Sequence, residues 1–246
     1  AYDLMKNVLG MEQDEMANVF DEWNKGELDS FLIEITRDIL KFKDADGQYL
    51  LPKICDTAGQ KGTGKWTSIS AMEYGVPVTL IGEAVFARCL SALKEERVAA
   101  SKVFSGPTDE FTCDKQDFVD NLKKALYASK IISYAQGFML LREAAKVNNW
   151  KLNYGGIALM WRGGCIIRSR FLGNITDAYR KNPDLSSLLM DPFFTSSISS
   201  SQSSLRLMVS TAALTGVPAP TFAAALSFFD GYRTGTLPAN LLQAQR

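Results

Sequence analysis

Apolar residues recur at a helical spacing along most of this 246-residue chain. One helical face, at intervals of three and four positions, is formed by Leu28, Phe31, Leu32, Ile35 and Ile39. The same spacing predicts further helices over 1–24, 67–74, 79–101, 222–229 and roughly thirty residues from Asp117, with a loop over 103–116. No run alternates apolar and polar residues as a strand does. The pattern therefore predicts an all-α, multi-helix domain with long central helices.

Two segments depart from a simple amphipathic pattern. Residues 157–169 are apolar on all sides apart from Arg162 and Arg168, which predicts a buried segment. Buried guanidinium groups need partners, and Glu34 in an otherwise apolar helix is a candidate. Residues 195–204 are rich in serine and would suit a flexible linker. Because helical patterns resume on both sides, we predict a weak, partly exposed helix instead.

A short sequence match indicates that the chain contains two diverged helical repeats. The run Tyr74-Gly-Val-Pro77 before one apolar helix recurs as Thr215-Gly-Val-Pro218 before another. We interpret residues 1–246 as one helical domain with repeats over about 1–116 and 117–246.

Charge balance and cysteine spacing exclude several function classes. Lys and Arg total 27, as do Asp and Glu, so no net field favours nucleic acid or an anionic membrane. The four cysteines are widely spaced and form no Cys-x-x-Cys pair. This spacing argues against zinc and suits a reducing, cytoplasmic compartment. Charged residues interrupt every long apolar stretch, so no membrane span is expected.

The chain contains no histidine. Histidine-based acid–base catalysis and histidine-ligated metals are therefore excluded within it. Because no histidine can activate Cys165, we interpret this thiol as a small core residue rather than a nucleophile. The chain opens at Ala1 inside a predicted helix, without an initiator Met or a signal peptide. We expect it to be part of a longer protein.

The most distinctive stretch, residues 54–66, is Ile-Cys-Asp-Thr-Ala-Gly-Gln-Lys-Gly-Thr-Gly-Lys-Trp. Glycines let backbone N–H groups approach a ligand, and lysine adds a compact positive charge. This favours capture of a phosphate or carboxylate, with a solvated surface turn as the alternative. A nucleotide P-loop is disfavoured, because Trp66 stands where magnesium binding needs Ser or Thr and Pro52 interrupts the preceding strand. Arg88, on an apolar helix face, either reaches to water or is held against a fixed anion.

This stretch resembles the fingerprint of the 6-phosphogluconate dehydrogenase family, decarboxylating enzymes of the pentose phosphate pathway. The matching positions are Ile54, Asp56, Gly59, Gln60, Lys61, Gly62, Thr63, Gly64 and Trp66. Further similar blocks follow in the family's order at 29–36, 73–77, 134–138, 161–169 and 225–233. The resemblance covers nearly the whole chain and implies most of the family's helical C-terminal domain.

The resemblance implies an NADP-dependent, metal-free oxidation and decarboxylation of 6-phosphogluconate to ribulose 5-phosphate and CO2. The family's Rossmann domain, which binds most of the NADP, and its lysine base and glutamate acid would lie upstream of residue 1. No catalytic residue is therefore assigned here, and the isolated chain is expected to be inactive. Lys61, Thr63 and Arg88 match positions that hold the substrate phosphate. The resemblance also implies a cytoplasmic homodimer, formed mainly through this domain.

Two alternatives stay open. The chain could be the helical domain of a related β-hydroxyacid dehydrogenase, although Lys61 and Arg88 would then lack a purpose. It could also be an all-α interaction or scaffold module without substrate binding. Lys61 and Arg88 pointing far apart would favour the scaffold.

Overall fold

The computed structural model describes residues 1–108 and 111–246, which are mainly helical. The α-helices of these ranges are α1 (Tyr2–Asn7), α2 (Gln13–Trp23), α3 (Phe31–Lys41), α4 (Thr63–Glu73), α5 (Thr79–Ser91), α6 (Lys94–Ala100), α7 (Lys115–Asn148), α8 (Tyr154–Met160), α9 (Phe171–Lys181), α10 (Pro192–Thr215), α11 (Pro220–Tyr232) and α12 (Ala239–Ala244). Short 3₁₀ turns lie at Leu51–Lys53 and Leu188–Met190. The all-α prediction is confirmed, and the described ranges contain isolated β-bridges but no sheet.

The 34-residue helix α7 is the centre of the fold. Its buried Leu122, Ile131 and Ile132 belong to the main hydrophobic core, and the helix packs against α10 and α11. Asp114 caps its start by accepting from the N–H of Asp117 at 2.8 Å. The predicted long central helix is confirmed, beginning two residues earlier than expected.

The serine-rich segment 195–204 lies within α10. Ser201 and Ser204 are buried, and Ser204 donates to Asn121 of α7 at 2.7 Å, whereas Ser199 and Ser200 are exposed. The small hydroxyl side chains let α10 lie close to α7 while the outer face meets water. The prediction of a partly exposed helix is confirmed.

Two predicted helices are each divided in the structure. Residues 1–24 form α1 and α2, separated where Gly10 adopts a φ of +59°, which an α-helix cannot contain. Residues 79–101 form α5 and α6, separated at Leu93, whose ψ of 49° lies outside the helical range. The apolar spacing did not reveal these breaks because buried positions continue on both sides of Gly10, at Met5 and Met16.

The segment 157–169, predicted to be buried, lies largely at the surface. Met160 at the end of α8 is 67% exposed, and Ile166 is 66% exposed. Arg168 does pair with Glu34, as predicted, at 2.5 Å, but the two side chains are 38% and 41% exposed. Such an exposed pair adds little stability.

Turns after α8 explain the exposure of this segment. Gly164 has a φ of +73°, so the chain cannot continue as a helix into the core. Arg162 is exposed, and Cys165, interpreted above as a core residue, is only half-buried. The thiol of Cys165 donates to the carbonyl of Trp161 at 3.2 Å.

The two Gly-Val-Pro turns have the same backbone geometry. Gly75 and Gly216 have φ values of +66° and +70°. In each turn the following valine donates to the carbonyl five residues earlier, at 2.8 and 3.0 Å. The turns lead into α5 and α11, which pack against each other. This correspondence supports the repeats over 1–116 and 117–246, which stay a prediction.

The loop predicted over 103–116 separates α6 from α7. Residues 109 and 110 lie outside the described residues, and the remainder up to residue 114 forms no helix. Within the described ranges, no helix combines the length and apolar character needed to cross a bilayer.

Candidate functional site

The glycine-rich loop leads directly into helix α4, which begins at Thr63 rather than at the predicted residue 67. Gly62 is the N-cap, with a φ of +110° that would strain any other residue. Because Gly62 has no side chain to cap the helix, the N–H groups of the first turn stay available to a ligand. The loop therefore presents a helix N-terminus, which favours phosphate binding.

Helix α4 begins in close contact with α5, and Gly64 makes this contact possible. A Cβ atom added at Gly64 would lie 2.7 Å from Cγ2 of Val85, well inside the 3.4 Å at which ordinary contact begins. Val85 lies about one helical turn before Arg88 on α5. Gly64 thus lets the loop and the arginine-bearing helix meet.

Arg88 joins α5 to the loop. Its Nε donates to the carbonyl oxygen of Gly59 at 2.8 Å, and Nη2 donates to the same oxygen. The sequence favoured either a side chain reaching to water or one held against an anion, and neither describes this contact with the loop itself. Among the described residues Nη1 donates to no protein group. The exposed guanidinium therefore keeps donors for a ligand.

Lys61 and Thr63 follow Gly59 by two and four residues, and both are exposed. Within the described ranges neither side chain forms a hydrogen bond or an ion pair. Because Arg88 contacts Gly59, the loop that carries Lys61 and Thr63 lies against the helix that carries Arg88.

Apart from the family fingerprint, no sequence signal identified the residues that hold the loop in place. Asp56 accepts from Lys94 at 2.5 Å and from Arg97 at 3.2 Å. The bond from Lys94, aided by Arg97, holds the pKa of Asp56 below its ordinary value, so the carboxylate is charged at neutral pH. Asp56 stood out only as part of the family fingerprint, and its partners lie 38 and 41 positions later.

A buried glutamine fixes the start of α5. Gln136 of α7 is fully buried; its Oε1 accepts from the N–H of Leu80 at 3.1 Å, and its Nε2 donates to Oγ1 of Thr79 at 2.8 Å. Val78, the N-cap residue, makes no side-chain cap of its own, so the core supplies the cap. Gln136 thereby positions the helix that carries Arg88.

Lys130 of α7 supports the junction that precedes α3 and α9. Its Nζ donates to Oγ of Ser169 at 2.6 Å, and that hydroxyl donates to the carbonyl of Asp29 at 3.3 Å. Ser30 and Ser169 form an antiparallel bridge there. Burial lowers the pKa of Lys130 to about 8, and the charge of Asp29 opposes part of that shift. This contact is structural and joins the two predicted repeats.

The fold and the loop together define an all-helical domain with a candidate oxyanion site. A family model described as 6-phosphogluconate dehydrogenase, C-terminal domain, matches residues 1–246. The chain therefore belongs to the 6-phosphogluconate dehydrogenase family, to its C-terminal domain.

Similar curated proteins are named 6-phosphogluconate dehydrogenase, decarboxylating. The chain is 68% identical to the Homo sapiens protein over 247 residues and 67% identical to the Ovis aries protein, covering all of this chain and 51% of each relative. A solved Plasmodium falciparum 6-phosphogluconate dehydrogenase is 44% identical, with a TM-score of 0.95 over all of this chain and 53% of its own. The chain thus spans about half the length of these relatives.

Proposed function

We propose that this chain is the substrate-binding and dimer-forming half of an NADP-dependent enzyme that converts 6-phosphogluconate to ribulose 5-phosphate and CO2. The observation that carries the proposal is the contact of Arg88 with the loop that bears Lys61 and Thr63. The Plasmodium relative is described in complex with NADP+ and with 6-phosphogluconate. The high identity over the whole chain supports the same chemistry here.

The role of the chain in this reaction is to hold the phosphate end of the substrate. A phosphate dianion offers acceptors to the Lys61 ammonium, the Thr63 hydroxyl and the Arg88 guanidinium. The N–H groups at the start of α4 add a favourable dipole. Each hydrogen bond to a charged group is worth about 1.5–3 kcal/mol. All three side chains are exposed, so the remaining wall of the site must come from outside this domain.

The main NADP cradle is also assigned outside this chain. A dinucleotide-binding motif follows a strand of a parallel sheet, and the described residues contain no sheet. The glycine-rich loop does not form this site, because a 3₁₀ turn containing Pro52, rather than a strand, precedes it. The domain accordingly binds and orients substrate, while the reacting groups belong to the half that the relatives have in addition.

The proposal of a dimer rests on apolar surface that this chain leaves exposed. Large apolar side chains stay exposed on α4 and α5, including Trp66 (71%), Met72 (75%) and Phe86 (59%). A second copy of the chain would remove such side chains from water, at about 25 cal/mol for each Å² covered. Light scattering of the complete enzyme should give twice the mass of one subunit. A monomer at micromolar concentration would contradict the dimer.

The test uses the complete enzyme, in which this chain is joined to the half its relatives have in addition. Lys61→Met should raise KM for 6-phosphogluconate about 10- to 100-fold, the loss of one charged hydrogen bond. Lys65→Met is the matched control, because Lys65 is also exposed but is expected to point away from the anion. Equal KM values for the wild type and Lys61→Met would contradict the assignment, as would NADP-dependent turnover by the isolated chain.

A further inference from the structure

The glycine-rich loop is held in place by side chains rather than by its own backbone. Among the described residues, 55–61 take part in no backbone–backbone hydrogen bond. Their main-chain groups bond instead to side chains at the C-terminal end of α5 and on α6. An exposed loop without backbone bonds has many conformations of similar energy. The placement of Lys61 therefore depends on these side chains.

Asp56 anchors the beginning of the loop. Its carboxylate accepts from Nζ of Lys94 at 2.5 Å and from both terminal nitrogens of Arg97 at 3.2 Å. Nη2 of Arg97 also donates to the main-chain carbonyl of Asp56 at 3.1 Å and to that of Ser91 at 2.9 Å. A planar guanidinium with several acceptors fixes direction as well as distance.

Two further contacts hold the residues that follow Asp56. Oγ of Ser91 accepts from the N–H of Ala58 at 2.9 Å, and Arg88 donates to the carbonyl of Gly59 at 2.8 Å. Three of four consecutive loop residues thus form hydrogen bonds with side chains on α5 and α6. Lys61 follows the last of these three residues by two positions.

We propose that Asp56 is a positioning residue for the oxyanion site: its ion pairs with Lys94 and Arg97 hold the loop so that Lys61 meets the substrate phosphate. This inference rests on the proposed function. A carboxylate would repel a phosphate, so Asp56 acts through the loop and not by contact with substrate. Its side chain is 57% exposed, and exposed ion pairs add little to folding stability. Loss of Asp56 should therefore change substrate binding more than unfolding.

The experiment compares Asp56→Asn with Asp46→Asn in the complete enzyme. Asp46 is a matched control, because it pairs with Lys53 at the same 2.5 Å and is 55% exposed but lies outside the loop. Asp56→Asn should raise KM for 6-phosphogluconate on the order of tenfold, with kcat and the free energy of unfolding unchanged. Asp46→Asn should change none of these, and Asp56→Glu, which keeps the charge, should restore most of the binding.

A double variant distinguishes positioning from other effects. If Asp56 acts through Lys61, adding Asp56→Asn to Lys61→Met should change KM by less than about twofold, because neighbouring groups of one unit are not additive. The same increase in both backgrounds would overturn the inference, as would an unchanged KM for Asp56→Asn alone. A decrease in the unfolding free energy of Asp56→Asn as large as the binding free energy that corresponds to its KM increase would also overturn it. An unchanged KM for Lys61→Met would instead overturn the proposed function.

Discussion

Replacing Gly64 with alanine tests whether the close approach of α4 to α5 sets the loop against Arg88. The new Cβ would lie 2.7 Å from Cγ2 of Val85, about 0.7 Å inside ordinary contact. Packed helices yield only partly to such an overlap. We therefore expect the start of α4 to move away from α5 by several tenths of an ångström, taking the loop with it.

The size of the effect follows from two opposing free energies. Overpacking a well-packed contact costs about 1–3 kcal/mol, whereas the better helix propensity of alanine returns up to about 1 kcal/mol. The free energy of unfolding should therefore fall by about 0–3 kcal/mol. Because misplacing a binding group by about 1 Å costs on the order of 100-fold, KM for 6-phosphogluconate in the complete enzyme should rise about 10- to 100-fold.

Urea unfolding and steady-state kinetics measure the two effects. Gly82→Ala is the matched control, since Gly82 lies at the same helix pair and its added Cβ would meet Oγ of Ser68 at an ordinary 3.7 Å. That control should leave KM unchanged. Val85→Ala removes the obstructing methyl group, so the double variant Gly64→Ala/Val85→Ala should bind substrate better than Gly64→Ala. Unchanged KM in Gly64→Ala, or a double variant no better than the single one, would refute the reasoning.

Two buried polar groups give further predictions. Burial lowers the pKa of Lys130 to about 8 from 10.5. Below about pH 8 the folded protein therefore carries the full free-energy penalty of a buried charged lysine, and this penalty falls as pH rises from 8 towards 10.5. Between pH 7.5 and 9.5 the unfolding free energy of the wild type should rise by about 1–2 kcal/mol relative to that of Lys130→Met. The control variant Lys146→Met, at an exposed site on the same helix, should show no such difference from the wild type. Parallel pH curves for the wild type and Lys130→Met would contradict the account. Gln136→Leu leaves the N–H of Leu80 without its buried acceptor and should lower the unfolding free energy by about 1–3 kcal/mol. The control Gln116→Leu, at an exposed site, should lower it far less. Equal losses would show that the cap does not contribute to stability.

Apolar spacing was sufficient to predict most helices, because a buried face repeats over many residues. Helix α7 is the clearest case, with Leu122, Ile131 and Ile132 all inward. Breaks were missed where a single residue ends a helix, as Gly10 does with its φ of +59°. Exposure was misjudged after α8, because an apolar composition does not reveal whether a turn carries residues such as Ile166 outward.

The candidate site was only partly predictable for a related reason. Lys61 and Thr63 stand out locally, since glycine and lysine cluster within a few positions. The hydrogen bonds that hold their loop in place join Asp56 to Lys94 and Arg97, which lie 38 and 41 positions later in the sequence. These partners meet because the loop lies against the end of α5 and against α6, and the periodicity of a sequence does not predict such a contact.

The central claim is that Lys61 belongs to the phosphate end of a sugar-acid site. The most direct test measures kcat/KM of the complete enzyme for 6-phosphogluconate and for unphosphorylated gluconate, in the wild type and in Lys61→Met. Loss of a charged hydrogen bond to phosphate should reduce the preference for the phosphorylated substrate about 10- to 100-fold, because activity on gluconate has no such bond to lose. An unchanged preference, with both substrates affected equally, would contradict the claim.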